Sequence, residues 1–490
     1  MAVLLMLAKR RAGFVAVLLT LVLVTVGCAD KKADGSSGSI AEDYQILQHD
    51  CDPAMSKQVQ CATLVLPNNV DRLPVRVVQY LGNDKSREPL VYLQGGPGYR
   101  LDFSVSGMQH WLGFAEQAGL KRDLILLNRR GSGDICLGYQ RARRKLLAAT
   151  PYRQHRIDNP DQALLRCINQ SDTLNINAYG TRQNAADIRA LVQTMGVEHW
   201  HVLGVSYGSR LAIELVGSQG LESMVLDSAY PPGFGGVLSA PELLGGSIQQ
   251  LAQACRTEAG CLDVWRNHFN GLPLNDKNFV ELLRASLRQL QHRPLDLVVT
   301  LDGWPETVWL TPERFLNSAF AAAYNRHRWP LLIDAIAAVP NRHRKPLERF
   351  TQLSLAQSGH ISGSAYAAVD CRDNPLGKDE DYQRGFESYP WLQPFMATGW
   401  RGQICQHWRD SIEPLDWPEQ VPKRVAVVGG QFDAITPLRW AKAVQRQWPE
   451  VALSVFTGTG HSVLSNRPCA LAQLEGFISR SKNAIVPCDN

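Results

Sequence analysis

The chain is short of the features that would classify it at once. Net charge is small, since 51 Lys and Arg against 46 Asp and Glu leave only +5. Lys9, Arg10 and Arg11 supply three of those positives, so the rest carries 48 basic against 46 acidic residues, or +2. That balance excludes a basic nucleic-acid footprint. No Gly-X-Y or heptad period and no internal repeat runs through the chain, which excludes fibrous architectures. H-E-x-x-H, the P-loop and G-x-G-x-x-G are all missing, so neither a metal nor an organic cofactor is expected. What is present is a globular composition, 45% apolar and 20% charged over 490 residues. That length suits about three domain-sized units, or one large domain with an insertion. Eleven cysteines are too many for a typical cytosolic enzyme, and the count is odd.

Lys9-Arg10-Arg11 precedes an apolar run from Phe14 to Gly27, followed at once by Cys28. Fourteen residues fit a signal-peptide core better than a membrane span. Thr25-Val26-Gly27-Cys28 resembles the bacterial lipoprotein signal, in which the cysteine becomes the lipidated N-terminus, although Thr25 stands where that signal usually has Leu. Ordinary cleavage after small residues, giving a soluble secreted protein, is the alternative. Residues 1–27 are therefore expected as signal peptide and 28–42, with its Gly/Ser run, as a polar tether. An exported protein anchored to a membrane through lipid on Cys28 follows. The other ten cysteines fall into close neighbours: Cys51 and Cys61, Cys136 and Cys167, Cys255 and Cys261, Cys371 and Cys405, Cys469 and Cys488. Spacing does not fix connectivity. Nearest-neighbour disulfides are the simplest assignment in an oxidising compartment, because tight C-x-x-C or His spacing for a metal is absent.

From Cys61 to Ser228, short apolar runs alternate with longer amphipathic ones. Strands are expected at Ala62–Leu66, Pro74–Leu81, Leu90–Leu93, Asp123–Leu127, His201–Leu203 and Met224–Asp227. Helices are expected at Asn184–Met195 and Tyr207–Val216. This alternation predicts a mostly parallel sheet covered by helices on both faces. The Pro231-Pro232-Gly233 break opens a stretch that reads as largely helical to Trp400, with Gln249–Glu258, Phe279–Gln291 and Pro312–Tyr324 as its helices. Strands resume at Arg424–Val428 and Ala452–Phe456, before a last helix at Cys469–Ser479. The expected organisation is thus an α/β core over 43–231 and 401–490, interrupted by a helical cap over 232–400.

Gly204-Val205-Ser206-Tyr207-Gly208 is a G-x-S-x-G placed between an expected strand and an expected helix, where a sharp elbow exposes a serine hydroxyl. Leu93-Gln94-Gly95-Gly96-Pro97-Gly98 follows an earlier strand and can offer a backbone N–H to an oxyanion. Taken alone, it would be an ordinary Gly/Pro turn. Val428-Gly429-Gly430-Gln431-Phe432-Asp433 and Gly458-Thr459-Gly460-His461 place an acid and a base after two late strands. The order Ser206…Asp433…His461 is that of the α/β-hydrolase triad.

Together with Arg130-Gly-Ser-Gly133, Val225-Leu-Asp227, Asp433-Ala-Ile-Thr-Pro437 and the opening Cys51…Cys61-Ala-Thr-Leu-Val-Leu-Pro67, these pieces resemble the tripeptidyl-aminopeptidase and proline-iminopeptidase group of α/β-hydrolases. Two departures stand out. Gln94 replaces the His or Asn-Pro that commonly precedes Gly-Gly-Pro-Gly. Asn128 replaces the acid of Asp-x-Arg-Gly-x-Gly. The resemblance implies an α/β-hydrolase fold with a helical cap. Ser206 would be the nucleophile, His461 the base and Asp433 its orienting acid, with the N–H groups of Gly96 and Tyr207 as oxyanion hole. The implied activity is release of N-terminal residues or tripeptides from short peptides, with an esterase or lipase on the same triad as the alternative. In that group, cap acids receive the substrate amino group. Glu242, Asp370 and Asp373 lie near the cap ends, but as solvated surface charges they would play no part. The oligomeric state has no signature in the sequence.

Overall fold

Leu90–Leu93 and Leu124–Leu127 are apolar and buried at every position, as strands covered on both faces must be. They sit inside a nine-stranded sheet, seen in the computed structural model. The model describes residues 44–67, 72–132, 136–150, 160–170, 178–301, 303–359, 362–374, 378–396, 405, 414–420 and 423–488. The expected signal peptide, the tether through residue 42 and Cys28 lie outside the described residues, as does Gly133.

The strands are β1 (Gln45–His49), β2 (Val59–Val65), β3 (Arg72–Val78), β4 (Leu90–Leu93), β5 (Leu124–Leu127), β6 (Trp200–Val205), β7 (Leu221–Asp227), β8 (Leu295–Leu301), β9 (Trp304–Leu310), β10 (Val425–Gly430) and β11 (Ala452–Phe456). The large sheet runs β1-β2-β3-β5-β4-β6-β7-β10-β11. Pairing is antiparallel from β1 through β3 to β5, and parallel from β5 onward. This is the expected fold class, an α/β-hydrolase sheet with helices on both faces. One face buries Val75, Ile188, Leu211 and Val444, so it is covered by the helices Thr181–Thr194, Tyr207–Glu214 and Leu438–Gln447. The other buries Leu126, Leu203, Trp111 and Phe477. From β4 the chain goes first to β5 on one side and then to β6 on the other. Such a reversal leaves a crevice at the carboxyl ends of the central strands, where ligands bind in open α/β sheets.

Between β7 and β10 the chain builds a second core around Phe279, Leu283, Leu297, Phe315, Leu332 and Phe350. It is mainly helical, with Ala240–Cys255, Asp276–His292, Pro312–Ala323 and Arg344–Gly359 among its longer helices. It also contains the antiparallel hairpin β8–β9, which the helical expectation overlooked. Its signal was available. Leu295–Leu301 and Trp304–Leu310 are rich in β-branched residues and flank Asp302-Gly303, a pair that favours a tight hairpin turn. Gly303 holds φ 84 there, a conformation that disfavours any side chain. The last helix is likewise two short ones, Pro468–Leu471 and Leu474–Ile478. The structure joins Cys51 to Cys61, Cys136 to Cys167, Cys255 to Cys261, Cys371 to Cys405 and Cys469 to Cys488. Among the described residues no helix is long and apolar enough to cross a membrane.

Candidate active site

β6 ends at Val205, and the next residue turns the chain into the helix Tyr207–Glu214 with φ 56 and ψ −122. Ser206 is therefore held in a conformation that costs a side-chain-bearing residue on the order of 1–3 kcal/mol. Its backbone N–H donates to the carbonyl of Asp227 at 2.9 Å, tying the elbow to the end of β7. The flanking glycines are steric necessities. A Cβ on Gly208 would lie 1.9 Å from the carbonyl oxygen of Leu93, and one on Gly204 would lie 2.4 Å from that of Gly208. Leu93 ends β4, so the same crowding presses the loop Gln94–Gly98 against the serine. A Cβ on Gly95 would stand 2.9 Å from that of Ser206. The loop turns through Gly96 at φ 43 and Gly98 at φ 81.

Asp433 follows β10 and His461 follows β11, so the parallel pairing of those strands brings their loops together. Nδ1 of His461 lies 3.0 Å from each carboxylate oxygen of Asp433. Asp433 is buried and accepts hydrogen bonds from the N–H groups of Ile435 and Thr436 and from the Thr436 hydroxyl, at 2.8–2.9 Å. Burial pushes its carboxyl up. The charge and hydrogen bond of His461 and the bonds from Thr436 outweigh that and hold it below the usual carboxylate range. Asp227 anchors the far side of the same loop by accepting the N–H groups of Val463 and Leu464 at 2.8 and 2.9 Å. Burial still pushes its carboxyl up to about 6. One strand end thus fixes both Ser206 and the residues that follow the histidine.

The cap closes over this point. The Tyr324 ring stands edge-on to His461, with centroids 5.1 Å apart, and Asn325 donates to Asn466 at 3.1 Å. Asn466 in turn donates to the carbonyls of His461 and Ser462. On the acid side, Ser247 donates to the carbonyl of Ala434, Ala434 is part of the cap's own core, and Trp329 meets Phe432 edge-on.

One of the two departures, Asn128, has a structural account; nothing in the structure explains the Gln94 side chain. Asn128 both accepts from the N–H and donates to the carbonyl of Leu101, which a carboxylate could not do. Arg130 finds its acid elsewhere, in a bidentate pair with Asp187 at 2.6 and 2.7 Å. Arg129 reaches back to the carbonyls of Gln94 and Gly95. The reading of the cap acids as surface charges holds only for Glu242, half-exposed and paired with Arg439. Asp370 and Asp373 are buried, at 6% and 5% exposure, and burial raises both carboxyls, that of Asp370 to about 6. Asp373 accepts from the N–H and hydroxyl of Thr181, whose hydroxyl also meets the phenol oxygen of Tyr207 at 2.8 Å. Asp373 therefore braces the elbow helix through Thr181, and Asp370 does so through Asn374, whose side-chain oxygen accepts from Arg210 of that helix. The burial of Asp373 had no signal in the sequence, since its partner Thr181 lies far away in the chain, and Asn374, one turn from Asp370, reads as one more polar residue on an exposed helix.

Fold and site together define a serine hydrolase with the α/β-hydrolase fold. Residues 393–483, which carry the acid and base loops, match the family model of TAP-like proteins. Over 92% of this chain and 91% of the relative, the sequence is 22% identical to the serine protease Hip1 of Mycobacterium tuberculosis (strain H37Rv), and to Hip1 of Mycobacterium bovis by the same measures. A proline iminopeptidase structure from Mycobacterium smegmatis aligns at 17% identity over 84% of this chain and 95% of that chain, with a TM-score of 0.35. The family model and the protease relatives support the resemblance to the tripeptidyl-aminopeptidase group drawn from the motifs.

Proposed function

We propose that the chain is an exported aminopeptidase that releases N-terminal residues or tripeptides from short peptides through an acyl-enzyme. Ser206 attacks the scissile carbonyl, while His461 takes its proton and passes it to the leaving amine. Asp433 orients the imidazole and stabilises its charged form. The N–H groups of Gly96 and Tyr207 receive the oxyanion, each contributing about 2.7–4 kcal/mol to the transition state. Water entering where the amine left then hydrolyses the ester. The observation that carries this reading is the buried His461–Asp433 pair on the loops after β11 and β10, with Ser206 held at φ 56 at the end of β6.

The serine protease relatives support an amide substrate. The five disulfides support export. The leader ending at Cys28 supports a lipid anchor in the cell envelope. A fluorophosphonate probe should label the wild type and not Ser206→Ala. Peptide anilides with free N-termini should be cut faster than blocked ones. Labelling that survives Ser206→Ala defeats the assignment of the nucleophile, equal cutting of blocked peptides defeats the aminopeptidase, and a reaction confined to esters makes the protein an esterase.

A further inference from the structure

The acyl-enzyme scheme gives no task to Arg129, one of the buried arginines among the described residues. Arg129, 6% exposed, stands just beyond the end of β5 and faces the loop that crosses the nucleophile. Its Nη1 donates to the carbonyl of Gln94 at 2.7 Å and its Nη2 to that of Gly95 at 3.3 Å. Its guanidinium carbon lies 5.1 Å from the centroid of the Tyr207 ring. One side chain therefore touches both segments that flank the oxyanion position, the loop after β4 and the first residue of the nucleophile helix.

The consequence follows from the amide group. The carbonyl of Gly95 and the N–H of Gly96 belong to one planar trans unit and point to opposite sides of it. A cation that holds the carbonyl on one side thereby aims the N–H toward the other. Drawing electron density to the carbonyl oxygen also makes that N–H a stronger donor. Gly95 and Gly96 have no side chains with which to fix this peptide plane, and glycine backbones rotate freely. The packing that forbids a Cβ on Gly95 is the reason the restraint has to come from elsewhere. Burial lowers the pKa of Arg129, but an arginine stays charged. Its planar fork presents donors to two carbonyls in one fixed geometry, which the rotating ammonium of a lysine does not.

We propose that Arg129 is a positioning residue that aims and polarises the oxyanion-hole N–H of Gly96. The proposal rests on the acyl-enzyme reading above. Its test uses the full-length enzyme with Arg129→Met, Arg129→Lys and Arg129→Ala, assayed with p-nitrophenyl butyrate. A trifluoromethyl ketone serves as transition-state analogue: the serine oxygen adds to its carbonyl, His461 takes the proton, and the oxyanion is left in the hole. Arg129→Met should lower kcat about 100-fold, as loss of one oxyanion donor does, with KM changed less than about threefold. The inhibition constant of the ketone should rise by the same factor as kcat/KM falls. Arg129→Lys should lie between. Guanidinium in the buffer should restore Arg129→Ala, whereas urea, of the same shape without the charge, should restore it less.

Arg129→Met with wild-type kcat overturns the proposal, and so does a fall in kcat with unchanged ketone inhibition. If circular dichroism shows Arg129→Met unfolded, Arg129→Lys and the rescue of Arg129→Ala decide by the same readouts. Fluorophosphonate labelling of the wild type keeps the two questions apart. With labelling present, a silent Arg129 variant removes only this inference, while a wild type that is neither labelled nor active removes both.

Discussion

At Gly208 a single methyl group would part the nucleophile from its sheet, because it would fall inside the carbonyl of Leu93. Gly208→Ala should lower stability by more than about 2 kcal/mol in urea unfolding and abolish hydrolysis, since neither backbone segment can yield without moving Ser206. The same crowding explains why the proposed triad stands out in the sequence. Ser206, Asp433 and His461 each end a strand in a glycine-rich loop, and those glycines are visible as letters. Arg129 and Asp227 were harder to find because they act on backbone atoms of distant segments, and a backbone partner leaves no mark in a sequence. Asp370 and Asp373 misled for a related reason. An acid on a helix reads as solvated unless its buried partners, Asn374 and Thr181, can be seen.

Among the elements, the parallel strands were the most legible, because burial on both faces writes a continuous apolar run. Strand β1 was missed: its pattern is mostly exposed, and it is held by pairing with β2 and by Ile46 against the core. Within the cap, helical periodicity masked the β8–β9 hairpin. The cap also braces the acid loop, through Trp329 on Phe432 and through Ala434 in its core. Two substitutions separate those roles. Leu283→Ala, deep in the cap and away from the loop, should cost about 2–5 kcal/mol of stability with kcat retained in the folded fraction. Trp329→Ala should cost a similar amount and also lower kcat, as Asp433 loses its support. Equal kcat for the two would show that the cap does not brace the acid.

Across the whole molecule, the buried acids set the pH response. Asp227 and Asp370, both raised to about 6, keep protons in the folded state that the unfolded chain has released above about pH 4. Stability contributed by these two therefore falls as pH rises from about 4 to 6. Asp433, held below the usual range, acts oppositely: its contribution is present above about pH 4 and is lost as pH falls through its folded pKa. Thermal melts should show Tm declining from about pH 4 to 6, and Asp370→Asn should flatten that decline by raising Tm at the upper end. An unchanged slope in Asp370→Asn would remove Asp370 from this account.

The five disulfides join cysteines separated by only 10, 31, 6, 34 and 19 residues, whereas the nucleophile precedes the cap and its acid and base follow it. In a chain delivered N-terminus first, each bridge can close as soon as its second cysteine emerges, before a wrong partner arrives. The hydrolytic centre keeps the opposite schedule. Ser206 must wait for the last strands, so the power to cut peptides is among the final properties the maturing molecule acquires.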